Sequence, residues 1–367
     1  MSIRLALADS NKRYIEKLAA WIQKHMPYRF SAEVLTSSGS FRAWAENGGK
    51  ADLIVISIDM AKEVQSCLPR DGVLVLDDGS HERLNLEFPR ADKYRPAEEL
   101  AKDILSLCAD RMPGIYAREK RKQNVTLVIG LDGADAAFPV APAMARVLSA
   151  RDRKTMYLSL EIAQSTGLYF SGSSSKGLNE MLYYVKSNRD NLYMRLETCI
   201  ARDFSSGVHF LSAPGGLLPP GAVDPSDIER LLFAMDSEGD FDEIVVAVDL
   251  GMFHLVPVLL ARASRAFAVG FNTEPSMARM ERLLRELEKG DGIAGIKEKL
   301  VLILVNISPA EGLGGLFDDI RKFTLEPDPM SQSASGWVPS DKGLSALASI
   351  LDSFEKAGWR HEQIADG

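Results

Sequence analysis

The segment Leu131-Asp132-Gly133-Ala134-Asp135-Ala136-Ala137-Phe138-Pro139 lies between an apolar run, Val125–Ile129, and a helical pattern, Val140–Leu148. A second apolar run, Thr155–Leu160, comes next. Strand, loop, helix and strand in that order form the frame of a phosphate-binding loop. In that device glycines let backbone N–H groups surround the phosphates, a lysine neutralises them, and a Ser or Thr holds Mg²⁺. Here one glycine remains, the lysine position reads Ala137, and the hydroxyl position reads Phe138. Pro139 has no N–H to offer. Asp132 and Asp135 enter where polyphosphate would sit. A like charge at about 4 Å costs on the order of 4 kcal/mol at an effective dielectric near 20. The loop is expected to work without nucleotide. If a degenerate nucleotide site forms, its backbone would come from Gly133, Ala134, Asp135, Ala136, Ala137 and Phe138.

Two further acids end apolar runs. Glu161 closes Thr155–Leu160, and Asp249 closes the stretch Phe241–Val248. In open parallel sheets ligands bind at the carboxyl ends of strands, so both stand where a ligand would be met. Plainer roles are a helix cap for Asp249 and a strand-end surface acid for Glu161. Other constellations are weaker. The five histidines have no metal-ligand spacing, and the three cysteines, Cys67, Cys108 and Cys199, lie far apart, so no metal site is expected. Tyr183, Tyr184 and Tyr193 interleave with Lys186, Arg189 and Arg195. A solvated helix pair is the first reading there and a binding surface the second.

The elements that must position these residues fall into two alternating series. Ile3–Ala8, Phe30–Leu35, Leu53–Ile58 and Val73–Leu76 read as strands separated by helical patterns, the last carrying Leu100, Ile104, Leu107 and Cys108 on one face. From Val125 a second series runs through Val208–Leu211, Ile244–Val248, Ala266–Phe271 and Leu300–Val305. Strands that alternate with helices imply mostly parallel sheets covered on both sides. The expected domains are residues 1–112 and 124–367, joined by a basic linker at 113–123 with Arg118, Lys120, Arg121 and Lys122. That linker reads as solvated, with an anionic-lipid contact as the alternative. A terminal stripe of Leu344, Leu347, Ile350, Leu351 and Phe354 carries balanced charges and reads as a core-packing helix. The 367 residues hold 43 Lys+Arg against 51 Asp+Glu, a net charge of −8, which disfavours nucleic acid as a partner. MSIRLALADSNKRY reaches charge too early for a signal peptide, and no apolar run suits a membrane helix, so a cytoplasmic protein is expected.

Asp9 after the first strand, Ala51-Asp52 before the third and Lys93-Tyr94-Arg95-Pro96 before the last helix resemble a response-regulator receiver of flavodoxin-like fold. That resemblance implies an acidic pair for Mg²⁺, a phosphoacceptor aspartate and a lysine that neutralises the phosphate. Here the pair has shrunk to Asp9 and Ser10, and the acceptor position counted from Asp52 is Ser57. Asp59 stands two residues on and serves only if the loop is shifted. A vestigial site of Asp9, Ser57, Asp59 and Lys93, used for protein contact, is the expectation.

KTMYLSLEIAQSTGLYF, NLYMRLETCIARDFSSGVHFLSAPGG, DPSDIERLLFAM and FDEIVVAVDL then resemble, in order, blocks of the TadZ/CpaE pilus-assembly proteins. These join a receiver-like domain to a ParA/MinD-type P-loop NTPase-like domain with a mostly parallel sheet. Active ParA/MinD relatives carry a KGGxGKT loop, whose two lysines are absent here. Within that pattern the expected metal-side aspartate, counted from Asp242, is Ala247, with Asp249 two residues on; Glu161 matches an acidic position near metal or water. The resemblance implies a homodimer at the cell pole, peripheral to the inner membrane at most. Its partners would be tight-adherence pilus or secretion assembly proteins, including a secretion ATPase. It implies a pseudo-ATPase that needs no cofactor; a weak ATP·Mg²⁺ switch with rearranged ligands is the alternative.

Overall fold

The computed structural model describes residues 2–27, 29–79, 87–111, 123–133, 139–172, 174, 176–187, 189, 191–238, 241–289, 299–306, 320–326 and 341–365. The expected linker at 113–123 falls almost wholly outside these residues. The chain divides into two compact units, Met1–Ala117 with Asp190–Thr198, and Arg118–Arg189 with Cys199–Gly367.

Unit 1 runs β1 (Ile3–Ala8), α1 (Lys12–His25), β2 (Phe30–Leu35), α2 (Ser38–Glu46), β3 (Leu53–Ser57), α3 (Ile58–Glu63), β4 (Val73–Asp77), β5 (Arg90–Asp92) and α4 (Ala97–Arg111). Its sheet has the order β2-β1-β3-β4-β5, with every pairing parallel. That is the flavodoxin-like order, whose switch point lies between β1 and β3. Continuous apolar runs fit it, because β3 is buried along its whole length. Asn11 starts α1 by accepting the Tyr14 N–H at 3.2 Å. Ile15, Leu18 and Ile22 of α1 join Leu100, Ile104 and Cys108 of α4 in one core layer; Phe41, Ile58 and Met60 pack the other.

The chain returns to unit 1 at helix α8 (Leu192–Cys199). Tyr193 and Met194 enter the α1 and α4 layer, the Asn191 side chain donates to Ala109 O at 3.2 Å, and Arg195 pairs with Asp110 at 2.7 Å. Tyr193 and Arg195 are therefore buried rather than part of a solvated helix pair. The aromatic and basic spacing points to solvent, but the face that receives these side chains lies some 80 residues away in sequence.

Unit 2 contains β6 (Asn124–Gly130), α5 (Val140–Ser149), β7 (Thr155–Ser159), α6 (Thr166–Tyr169), α7 (Leu178–Lys186), β8 (Ile200–Arg202), β9 (His209–Leu211), α9 (Pro225–Glu238), β10 (Glu243–Asp249), α10 (Val256–Arg262), β11 (Arg265–Phe271), α11 (Glu274–Glu288), β12 (Leu300–Val305), β13 (Arg321–Leu325) and α12 (Asp341–Ala365). Among the described residues its sheet has the order β13-β12-β11-β6-β10-β7-β9-β8. All pairs are parallel except β8 with β9. From β6 the chain leaves through α5 toward β7 on one side, while β11 pairs on the other, which makes the carboxyl end of β6 a switch point. Leu347, Ile350 and Leu351 of α12 pack into the core with Met144 and Leu148 of α5, as the terminal stripe predicted. No helix among the described residues is long and apolar enough to cross a membrane. Strands β5, β8 and β13 were not foreseen: two have three residues, too few for a periodic signal, and β13 is a polar edge.

At the amino ends of the central strands, Glu243 of β10 has no exposed surface. Arg265 of β11 pairs with it at 2.7 Å and donates to Thr126 Oγ1 of β6 at 2.7 Å; Arg153, just before β7, also pairs with Glu243. Removing one partner of a buried pair leaves an uncompensated charge. Arg265→Met should cost about 3 kcal/mol by urea denaturation. Arg285→Met, which breaks only the exposed pair with Glu281, should cost less than about 0.5 kcal/mol. Equal effects would show that the buried pair does not hold the sheet.

Candidate functional site

The parallel register brings residues from distant sequence positions to common strand ends. In unit 1, Ala8 lies beside Ile56, so Asp9 and Ser57 follow side by side at the switch point. Lys93 comes directly after β5, its N–H fixed on Asp77 O at 2.8 Å. Its ammonium reaches Asp9 Oδ2 at 2.7 Å, both side chains being buried. Asp9 Oδ1 accepts the Asn11 N–H at 2.8 Å, while the buried Ser57 Oγ has no hydrogen-bond partner. Tyr14 covers this cluster: its hydroxyl donates to Lys93 O at 2.5 Å, and Lys93 Nζ lies 5.1 Å from its ring centroid. Burial, with the nearby Asp9 charge, pushes the Tyr14 phenol up to about 12. Asp59 stands apart, exposed in the first turn of α3. Asp9, Ser57 and Lys93 thus share one place and Asp59 does not point from a strand end. The lysine already carries the charge partner that a transferred phosphoryl group would need.

In unit 2, Ala247 pairs with Ser159, so Asp249 and Glu161 continue two adjacent strands in register. Glu161 has no exposed surface, which corrects its reading as a surface acid. Ser159 Oγ donates to Glu161 Oε2 at 2.6 Å, and Glu161 Oε1 is buried without a partner. Burial raises the Glu161 carboxyl well above its ordinary range; the Ser159 hydrogen bond opposes this and the Asp249 charge adds to it. Asp249 caps no helix with its side chain. Its Oδ2 instead accepts the Ile162 N–H at 3.0 Å, and its Oδ1 is buried without a partner. Asp249 therefore ties the ends of β10 and β7 together.

Asp132 turns the other way. Its Oδ2 accepts the Phe271 N–H at 2.8 Å and the Ser276 hydroxyl at 2.5 Å, and its Oδ1 pairs with Arg279. The carboxylate that sequence reasoning placed against polyphosphate thus anchors the β6 loop to β11 and α11. Sequence reasoning missed this anchor because its donors lie 139 residues and more downstream. Gly133 takes a positive φ of 69° with open space around it, a turn that suits glycine. Ala134, Asp135, Ala136, Ala137 and Phe138 lie outside the described residues.

Two unpartnered carboxylate oxygens suit a proton or a hard cation. Among the described residues no group of three or more His, Cys, Asp or Glu side chains could hold a metal ion. A cation at Glu161 and Asp249 would have to complete its shell with water or phosphate oxygens.

No protein-family model matches the chain, and no curated protein matches it. Among solved structures it is similar to a ParA family ATPase from Chlorobium tepidum TLS, at 17% identity over 63% of this chain and 91% of that one, with a TM-score of 0.46. The MinC:MinD cell division protein complex of Aquifex aeolicus is similar at 13% identity over 63% and 96%, with a TM-score of 0.48. A plasmid partition protein from Borrelia burgdorferi B31 bound to AMPPNP is similar at 14% identity over 65% and 100%, with a TM-score of 0.47. At these low identities and scores, the role of the site rests on the chain's own residues.

Two expectations come from the buried acids. The folded Glu161 carboxyl sits above its ordinary 4.5, so the folded state keeps a proton that the unfolded chain has lost. Stability should therefore fall as pH rises above that ordinary value, by up to about 1.4 kcal/mol per pH unit for one proton. Glu161→Gln should flatten this dependence between pH 5 and 8 and raise stability at the upper end, read by thermal unfolding; an unchanged slope would exclude a protonated Glu161. In unit 1, Lys93→Met leaves Asp9 buried and unpaired and should cost about 3 kcal/mol, whereas Lys93→Met with Asp9→Asn should recover much of it, read by urea denaturation.

Proposed function

We propose that this chain is a non-catalytic scaffold of ParA/MinD type that forms a homodimer and positions pilus or secretion assembly proteins. One observation carries the non-catalytic part. At the carboxyl end of β6, Asp132 is tied into the protein, and the loop supplies no lysine. Asp132 is held by Phe271, Ser276 and Arg279, so Arg279, which bonds to the start of that loop, is already engaged. Ala137 and Phe138 stand at the lysine and hydroxyl positions of the loop. Polyphosphate at this loop would find no lysine to compensate it, since Asp132 turns away and already holds Arg279.

Unit 1 is consistent with a pseudo-receiver. Its strand order fits, Asp9 and Lys93 neutralise each other, and Ser57 offers no carboxylate. The pilus or secretion role rests on the four sequence blocks that resemble TadZ/CpaE proteins, and the homodimer comes from the same resemblance. Polar position and peripheral membrane contact belong to that reading too, as does a secretion ATPase among its partners.

One observation favours a second reading. The unpartnered oxygens Glu161 Oε1 and Asp249 Oδ1 could face a cation brought in with nucleotide, as in a weak ATP·Mg²⁺ switch with rearranged ligands. Calorimetric titration with ATP·Mg²⁺ to about 1 mM, with light scattering on the same samples, separates the two. The scaffold reading expects no heat and an unchanged mass. Binding tighter than about 100 μM with a shift from monomer to dimer would replace it with the switch.

A further inference from the structure

Helix α1 of unit 1 reverses the charge balance of the chain. The whole sequence holds more acids than bases, yet α1 contains Lys12, Arg13, Lys17 and Lys24 against one acid, Glu16. Glu16 lies 3.8 Å from Lys12. Arg13, Lys17 and Lys24 are exposed and have no acidic partner among the described residues.

These three cations lie on one line. Arg13, Lys17, Ala20 and Lys24 are spaced four, three and four residues apart, which places them along one side of the helix. At 1.5 Å per residue the stripe is about 16 Å long. The buried residues Ile15, Leu18 and Ile22 take the opposite side. Ala20 is small, and Lys12, Arg13, Glu16 and Lys17 stand around an open hollow beside it.

The elements packed against α1 do not neutralise the stripe, because their acids are engaged elsewhere. On α4, Glu98 pairs with Lys102, Glu99 and Asp103 with Arg95, and Asp110 with Arg195. On β2, Glu33 accepts the Trp44 indole N–H at 2.9 Å. Asp9, after β1, is buried with Lys93.

Aromatic rings flank the stripe on one side. Tyr14 and Trp21 are seven residues apart and share the adjoining strip of the helix. Tyr94, 68% exposed, meets Tyr14 edge-on with centroids 6.5 Å apart, and Trp21 stacks on the exposed His25 at 4.5 Å. Asp92, the acid beside Tyr94, accepts the Tyr94 N–H at 2.9 Å. Long basic side chains next to Tyr and Trp match the membrane–water boundary, where cations meet phosphate and amphipathic rings sit at headgroup level. An acidic protein would have to present carboxylates at the spacing of the stripe, whereas anionic lipid supplies negative charge at any spacing.

We infer that the outer face of α1 docks on a membrane surface rich in anionic phospholipid. This rests on the peripheral-membrane part of the proposed function and names the surface that makes the contact. One cation near such a surface changes partitioning only about fivefold, so three give weak and reversible docking.

Co-sedimentation of the full chain with vesicles tests this. The wild type should bind vesicles of phosphatidylcholine and phosphatidylglycerol in equal parts at about 50 mM salt, and lose them at about 500 mM. It should not bind phosphatidylcholine alone. Lys17→Gln should weaken binding about fivefold. Arg13→Gln with Lys17→Gln and Lys24→Gln should weaken it at least about fiftyfold with an unchanged thermal midpoint, because all three are exposed. Arg282→Gln with Arg285→Gln and Lys289→Gln removes the same charge from the exposed face of α11 and should retain binding. A wild type without preference for anionic vesicles would overturn both this surface and the peripheral-membrane part of the reading, while the scaffold itself is judged by the ATP·Mg²⁺ titration. Binding that the α1 triple leaves equally tight, or that the α11 triple weakens as much, would overturn the α1 surface alone. Binding to poly-glutamate but not to vesicles, lost in the α1 triple, would assign the stripe to an acidic protein and overturn the lipid contact.

Discussion

Glu243, a carboxylate with no exposed surface, faces Arg265 and Arg153 at the amino ends of the central strands of unit 2. Desolvating three charges is unfavourable unless each finds its partner, so the group tolerates only one alignment of β6, β7, β10 and β11. Thr126 and Asn124 complete it with further hydrogen bonds. Because parallel strands are in register along their length, this lock at one end also fixes what meets at the other. Asp249 comes level with Glu161 through it, and the loop after β6 comes within reach of Phe271 and Arg279.

The two units treat their strand ends alike. Each has acids where an anion or cation site would be expected, and each has bound them into its own frame. In unit 1 a lysine does this for Asp9; in unit 2, backbone N–H groups and an arginine do it for Asp132 and Asp249. Asp9 and Asp132 held this way need no ligand to be satisfied, whereas Asp249 keeps one unpartnered oxygen. Glu161 is the exception, since burial leaves it favouring its protonated form.

Asp203 illustrates how firmly a surface turn can be held: it accepts from the backbone of Ser171 and Ser206 and from the hydroxyls of Ser171, Ser205 and Ser206. The helices α7 and α9 are tied together in the same way, Lys186 to Asp227 and Arg230 to Val185 O.

Much of this was legible in the chain itself. Runs such as Leu53–Ser57 and Glu243–Asp249 are apolar without alternation, which only a strand buried on both faces requires, so the parallel α/β class follows from local pattern. The missing lysine at Ala137 and the missing acceptor at Ser57 are also facts of sequence. Tertiary structure decided the rest. Short strands such as β5 and β8 form only because a neighbour supplies their hydrogen bonds. Asp132 looks like a repulsive charge until Phe271 and Arg279 arrive from the other side of the sheet, and Tyr193 looks solvated until the α1 and α4 layer covers it. Periodicity and propensity act over a few residues, whereas these burials and charge pairs depend on partners some 80 to 140 positions away, and no local pattern encodes where those partners will stand.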